Sequence, residues 1–199
     1  MVKPILTTRI PDYEVDERCD ADRIIGVLVL TVAFLVLTVT CGSNRSCCDP
    51  TFSKINSDPT VRDLTSFDRA GFKMAKEYDV SELPLATSAY MGYFTTPDGV
   101  PVQYELRMYP DHASAIEAGV EYADEVTGVD AFLRSVDVRW EEGTRDRRGG
   151  GAARGSLTPL YGDYAVIGNI VMLCQGRDSD QALERCASLL WAAGIGVER

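Results

Sequence analysis

Eighteen consecutive residues, Ile24 to Cys41, carry no charge, and no other stretch of the chain limits the possible folds as strongly. As a helix, at about 1.5 Å per residue, the run is about 27 Å long, close to the hydrocarbon thickness of a bilayer. A buried strand is rarely longer than about ten residues. A core helix of a domain in water carries a polar stripe, and this run has none. Ten of its residues are Val, Ile or Thr, which in water favours strand. In lipid the backbone has to satisfy its own hydrogen bonds, so helix prevails despite the β-branching. The expectation is one transmembrane or signal-anchor helix over residues 24–41.

Residues 1–23 form a polar tail with four Lys/Arg against six Asp/Glu, a net −2. A cleavable export signal starts with a short basic segment, so this tail points to an uncleaved single-pass helix. The end of the run, Leu37-Thr38-Val39-Thr40-Cys41-Gly42-Ser43, resembles a bacterial lipoprotein signal, which implies lipidation at Cys41. The pattern wants an aliphatic residue three before the cysteine and a small one just before it; here Thr38 and Thr40 stand there. The lipoprotein is therefore the alternative reading. Arg9, Arg18 and Arg23 precede the run, and Arg45 and Lys54 follow it. The positive-inside rule then places the N-terminus in the cytoplasm and the C-terminal domain outside, in a bacterial envelope.

The chain as a whole carries −10. Phosphate binding draws on clustered Lys/Arg, so nucleic acid is not an expected partner. Of six cysteines, Cys174 closes an apolar strand, "IVMLCQG", and Cys186 lies about two turns into the next helix, "SDQALERCASLLWAAG". A strand end and the following helix can bring two Cα atoms within disulfide range, which suits an oxidising compartment. Buried free thiols are the alternative. Cys47 and Cys48 are adjacent, lack a CxxC partner and fit no zinc spacing, so no metal is implied.

Residues 42–63 read as a polar tether containing Pro50 and Pro59. The globular domain then spans 64–199. Phe67, Ala70, Gly71, Met74 and Tyr78 recur at helical spacing and predict a helix over 65–79. "SAYMGYF" and "VPVQYELRMY" flank Pro97-Asp98-Gly99 and predict a hairpin. In its second strand Val102, Tyr104, Leu106 and Met108 alternate with Gln103, Glu105 and Arg107, which predicts one buried and one wet face. Asp111 caps a helix that buries Ile116, Val120, Ala123 and Val126 and stops at Gly128. Val136, Val138 and Trp140 predict a third strand, followed by a flexible loop, "EEGTRDRRGGGAARGSLTP". Gly168-Asn169 closes a second hairpin, and Asp178 with Gln181 starts the last helix. The fold class expected is α+β: an antiparallel sheet of about five strands with helices on one face.

Chemical signatures are sparse. His112 is the only histidine, and no GxSxG surrounds a serine, so a Ser-His-Asp site has no sequence support. The loop "GGAARGS" lacks the lysine of a phosphate-binding loop. Its arginines and those before it, Arg145, Arg147, Arg148 and Arg154, could grip an anion or an acidic partner, although a solvated linker is the plainer reading. Tyr90, Tyr93 and Tyr104 are candidate interface aromatics, with sheet packing as the alternative. No catalytic, cofactor or metal residue is indicated. The functional expectation is a membrane-anchored extracytoplasmic domain that binds a protein partner, as an accessory subunit of an envelope complex. A small envelope enzyme using His112 and carboxylates is the second class.

Overall fold

A computed structural model describes residues 53–149 and 157–195. The 24–41 run, Cys41 and the pair Cys47-Cys48 lie outside the described residues. Among the described residues no helix is long and apolar enough to cross a membrane.

The chain enters the sheet earlier than its composition suggests. Strand β1 (Ile55–Asn56) lies within the stretch read as tether. It pairs parallel with β7 (Tyr161–Ile167), Ile55 opposite Val166 and Asn56 opposite Ile167. A strand of two residues shows no alternation, so only its neighbour reveals it. Its position is fixed further on, where Asn169 Nδ2 donates to Arg62 O at 3.0 Å and to Tyr109 O at 2.9 Å.

Helix α1 (Leu64–Ala70) is capped by Asp63, whose side chain accepts from the Thr65 amide. It ends at Gly71, in the left-handed region at φ 99°. There the Gly71 amide donates to Asp68 O and the Phe72 amide to Phe67 O, both at 3.0 Å. That pair of bonds is a C-terminal stop which glycine allows and a side chain would strain. The helix expected over 65–79 is thus half helix and half strand. Phe72 turns into the core, and β2 (Lys73–Tyr78) follows as the sheet edge beside β3 (Ser88–Thr95). Met74 and Tyr78 fit a helical spacing by coincidence, because an exposed edge strand needs no apolar alternation.

β3 and β4 (Pro101–Met108) form the expected hairpin, and β7 and β8 (Ile170–Gln175) form the second. The strand order is β1-β7-β8-β4-β3-β2. The sheet therefore has six strands and is mixed, not five and antiparallel; β1 supplies the parallel pair. Two further short strands, β5 (Arg148–Gly149) and β6 (Thr158–Pro159), pair with each other.

One sheet face packs on α1 and on α4 (Ser179–Ala192). Ala182, Cys186, Leu189 and Leu190 recur along α4 on one side and meet Tyr104, Leu106, Ile170 and Met172. Burying each such aliphatic side chain contributes about 1.5–3 kcal/mol. Cys174 and Cys186 stand at disulfide distance here, Cα–Cα 5.6 Å. The Asp178 cap accepts from the Gln181 amide at 2.9 Å. Replacing Asp178 by alanine is expected to cost about 1 kcal/mol, read as a lower urea midpoint with an unchanged slope.

Helices are not confined to that face. On the other side α2 (His112–Ser114), a π turn (Ala115–Gly119) and α3 (Val120–Asp124) run on from one another. They cover Val171, Leu173, Tyr161 and Tyr164 with Ala115, Ala123 and Val126. The segment that follows crosses the rest of this face. Val136 and Trp140 do not form the expected strand: Ser135–Asp137 is a 3-10 turn, Val136 points to solvent, and Trp140 is buried against Tyr78. The alternation there reflects a segment lying on the sheet, not in it.

Candidate functional site

The covering segment changes the meaning of the β4 alternation. Gln103, Glu105 and Arg107 do not face water. Glu105 and Arg107 are 0% exposed, and Arg147 is 2% exposed beside them. Arg107 Nε donates to Glu105 Oε1 at 2.8 Å. Arg147 donates through Nε to Glu105 Oε2 at 2.7 Å and through Nη2 to Oε1 at 3.0 Å. Both guanidiniums stack on Trp140, with Cζ 5.0 Å (Arg107) and 4.5 Å (Arg147) from the ring centre. The Trp140 Nε1 donates to Asp79 O at 3.1 Å. Burial by itself would raise the Glu105 carboxyl, but Arg147 and Arg107 outweigh it and hold it below the ordinary glutamate range. Burial likewise disfavours charge on Arg147, and Glu105 overrides it, raising the guanidinium further. Tyr161, buried beside them, is pushed up by burial first and by Glu105 next. Its hydroxyl receives a bond from Gln103 Nε2 at 2.9 Å.

Arg147 is therefore committed to the core, not to a solvated loop. The other loop arginines are dispersed. Arg145 and Arg148 line a charged hollow of about 320 Å³ with Lys76, Glu141 and Glu142, and Arg154 lies outside the described residues. Of the tyrosines, Tyr104 is buried under α4, where its hydroxyl donates to Arg185 O at 2.9 Å. It offers no interface. Tyr93 is 42% exposed on β3, and Tyr90 is half-buried at a hollow of about 240 Å³. His112 Nδ1 lies 2.9 Å from Gly168 O. Among the described residues no carboxylate bonds to this imidazole, and it lines none of these hollows or the cleft described next.

The largest concavity among them, about 800 Å³, was not visible in the sequence. It opens where α3 ends and where β7 and α4 begin, with largely apolar walls that include Val129 and Pro159. Its polar groups are few and mutually bonded. Lys54 Nζ lies 2.7 Å from Asp163 Oδ1 and 3.8 Å above the Tyr164 ring. Ser179 Oγ donates to Asp163 Oδ2 at 2.5 Å, and Arg177 Nε to Asp178 Oδ2 at 3.1 Å. The Tyr164 hydroxyl is pushed up by burial and by its bond to Asp124. Glycine shapes one wall: a Cβ on Gly162 would lie 2.3 Å from Asp178 O, so only glycine lets β7 approach the start of α4 this closely. Five elements distant in sequence build the cleft, which is why no local motif announces it. Among the described residues no group of three His, Cys, Asp or Glu side chains could hold a metal ion.

Residues 60–193 match the model of a family of unknown function, DUF6810. The chain belongs to the DUF6810 family. The DUF6810 match runs from just before α1 to the end of α4, and so contains the buried Glu105 cluster and nearly all of the cleft wall. β1 and Lys54 lie just ahead of it. No curated protein and no solved structure matches the chain.

Proposed function

We propose that this is a membrane-tethered, extracytoplasmic binding domain, an accessory subunit of a bacterial envelope complex, whose binding site is the cleft between α3, β7 and α4. The cleft carries this reading. At about 800 Å³ it has the size and the mostly apolar wall of a ligand site with a few fixed polar groups. Its wall includes Val129, which is 85% exposed, and Phe132 and Val136 further along the same segment are exposed too. An exposed apolar side chain at the mouth of an apolar cleft suits a protein-interaction surface, so the occupant is an apolar segment of a protein partner. The rim bears three carboxylates, Asp124, Asp163 and Asp178, against Lys54 and Arg177, which favours a segment without acidic residues. The tether rests on the uncharged run over 24–41. The outside location rests on that run together with the Cys174–Cys186 pair.

Two measurements test the two halves. Nile red, an uncharged apolar dye, is expected to bind the native domain, and Val129→Asp, at an exposed position, to weaken it about tenfold, or 1.4 kcal/mol. Equal binding by wild type, Val129→Asp and Thr158→Trp would sink the cleft. For the location, the chain is expected in the membrane fraction at its full-length mass. A chain starting at Cys41 with added acyl mass would replace the helix by a lipid anchor. Recovery in the soluble fraction would end the tethered reading.

A further inference from the structure

The buried cluster on the second sheet face does not balance its charge. One carboxylate, Glu105, meets two guanidiniums, Arg107 and Arg147, and all three are essentially unexposed, which leaves one positive charge in excess. The carboxylate of Asp146, the residue before Arg147, is already held by Lys76 Nζ at 3.0 Å and by the Tyr78 hydroxyl at 2.8 Å. The hydrogen bonds are unbalanced in the same place. Arg107 uses Nε on Glu105, but among the described residues its Nη1 and Nη2 have no partner, and neither has Arg147 Nη1. The hydroxyl of Tyr109, two residues on from Arg107 and just past the end of β4, is also buried without a partner among the described residues. Burial pushes that hydroxyl up to about 12, so at neutral pH it is a donor. Stacking on Trp140 satisfies the face of the Arg107 guanidinium but not its in-plane N–H groups. A buried, unpaired charged donor is among the most costly groups a core can hold.

We propose that the sheet carries a site for one small monovalent inorganic anion, of halide size, held by Nη1 and Nη2 of Arg107 beneath the segment that bears Trp140. The guanidinium fork presents parallel N–H donors suited to such an ion. The ion supplies the missing negative charge and the missing acceptor together. Its size follows from the donor set. Two N–H groups of one guanidinium are enough donors for a single small ion and too few for the several acceptor oxygens of a phosphate, and a halide needs about the 30 Å³ of one water. The site is separate from the cleft and does not depend on it.

The test is unfolding of the wild type and of Arg107→Met, with sodium chloride replaced stepwise by sodium gluconate at constant ionic strength. A ligand that binds only the folded state shifts the folding equilibrium tenfold for each tenfold rise in its concentration above half-saturation. The wild type is expected to follow that dependence on chloride and the variant to lose it; general salt effects act on both alike. A wild type indifferent to chloride, or a variant with the same dependence, overturns the proposal. If Arg107→Met does not fold, crystals of the wild type grown in bromide decide. An anomalous peak within hydrogen-bond distance of Arg107 Nη1 or Nη2 supports the site, and a water without anomalous signal there refutes it.

Discussion

Replacing Glu105 by alanine is expected to cost about 3–5 kcal/mol, because it leaves two buried guanidiniums without their carboxylate. Urea unfolding monitored by tryptophan fluorescence measures this directly, since Trp140 stacks on both arginines. The contrast is Arg134→Ala, which removes the pair with Asp137 whose side chains are 70% and 33% exposed; exposed pairs are worth about 0–1 kcal/mol. An effect of Glu105→Ala no larger than that of Arg134→Ala would mean that the cluster is hydrated and the covering segment open.

The same residue sets an acid limb. The Glu105 carboxyl is held below the ordinary glutamate range in the folded domain. Its contribution is therefore complete above the pKa of unfolded-chain glutamates, about 4.3, and is lost as pH falls through the lower folded-state value. Glu105→Gln is expected to be less stable at neutral pH and to lose less on acidification than the wild type does. Parallel stability curves below pH 4 would show that other carboxylates, not Glu105, carry the acid sensitivity.

The second large effect is at Cys174 and Cys186. Replacing both by alanine is expected to lower stability by about 3 kcal/mol, the loop-closure value for a crosslink at a separation of 12 residues. The two sulfurs lie in the core between β8 and α4, with neither cysteine exposed. Reductant should therefore leave the native mass unchanged and add two hydrogens only after denaturation. A double variant as stable as the wild type, with no mass change on reduction in denaturant, would show two free thiols.

Local signals marked much of the fold. The two hairpins and the Asp111 and Asp178 caps sit where turn chemistry and capping residues put them, whereas the helix expected to run to Gly128 ends at Asp124. Errors came where a pattern had two physical causes. Met74 and Tyr78 matched a helix because Gly71, written into the same stretch, is a stop only when its left-handed conformation is adopted. Val136 and Trp140 matched a strand because alternation also suits a segment lying across a sheet.

The Glu105 cluster shows the limit most clearly. In the sequence, Gln103, Glu105 and Arg107 are an ordinary polar face, since charged residues in alternation with apolar ones belong in water. Their burial required a covering segment about thirty residues further on, with Arg147 to pair and Trp140 to stack. The cleft needed the same kind of information, from Lys54 through Val129 and Asp163 to Ser179. Sequence alone determined what depends on neighbours along the chain: caps, turns, strand pairs joined by short loops, and the reach of a strand-to-helix cysteine pair. The tertiary structure decided which polar residues are buried and where a cavity opens, because burial is a property of the surfaces that meet, and those surfaces come from segments that no local pattern connects.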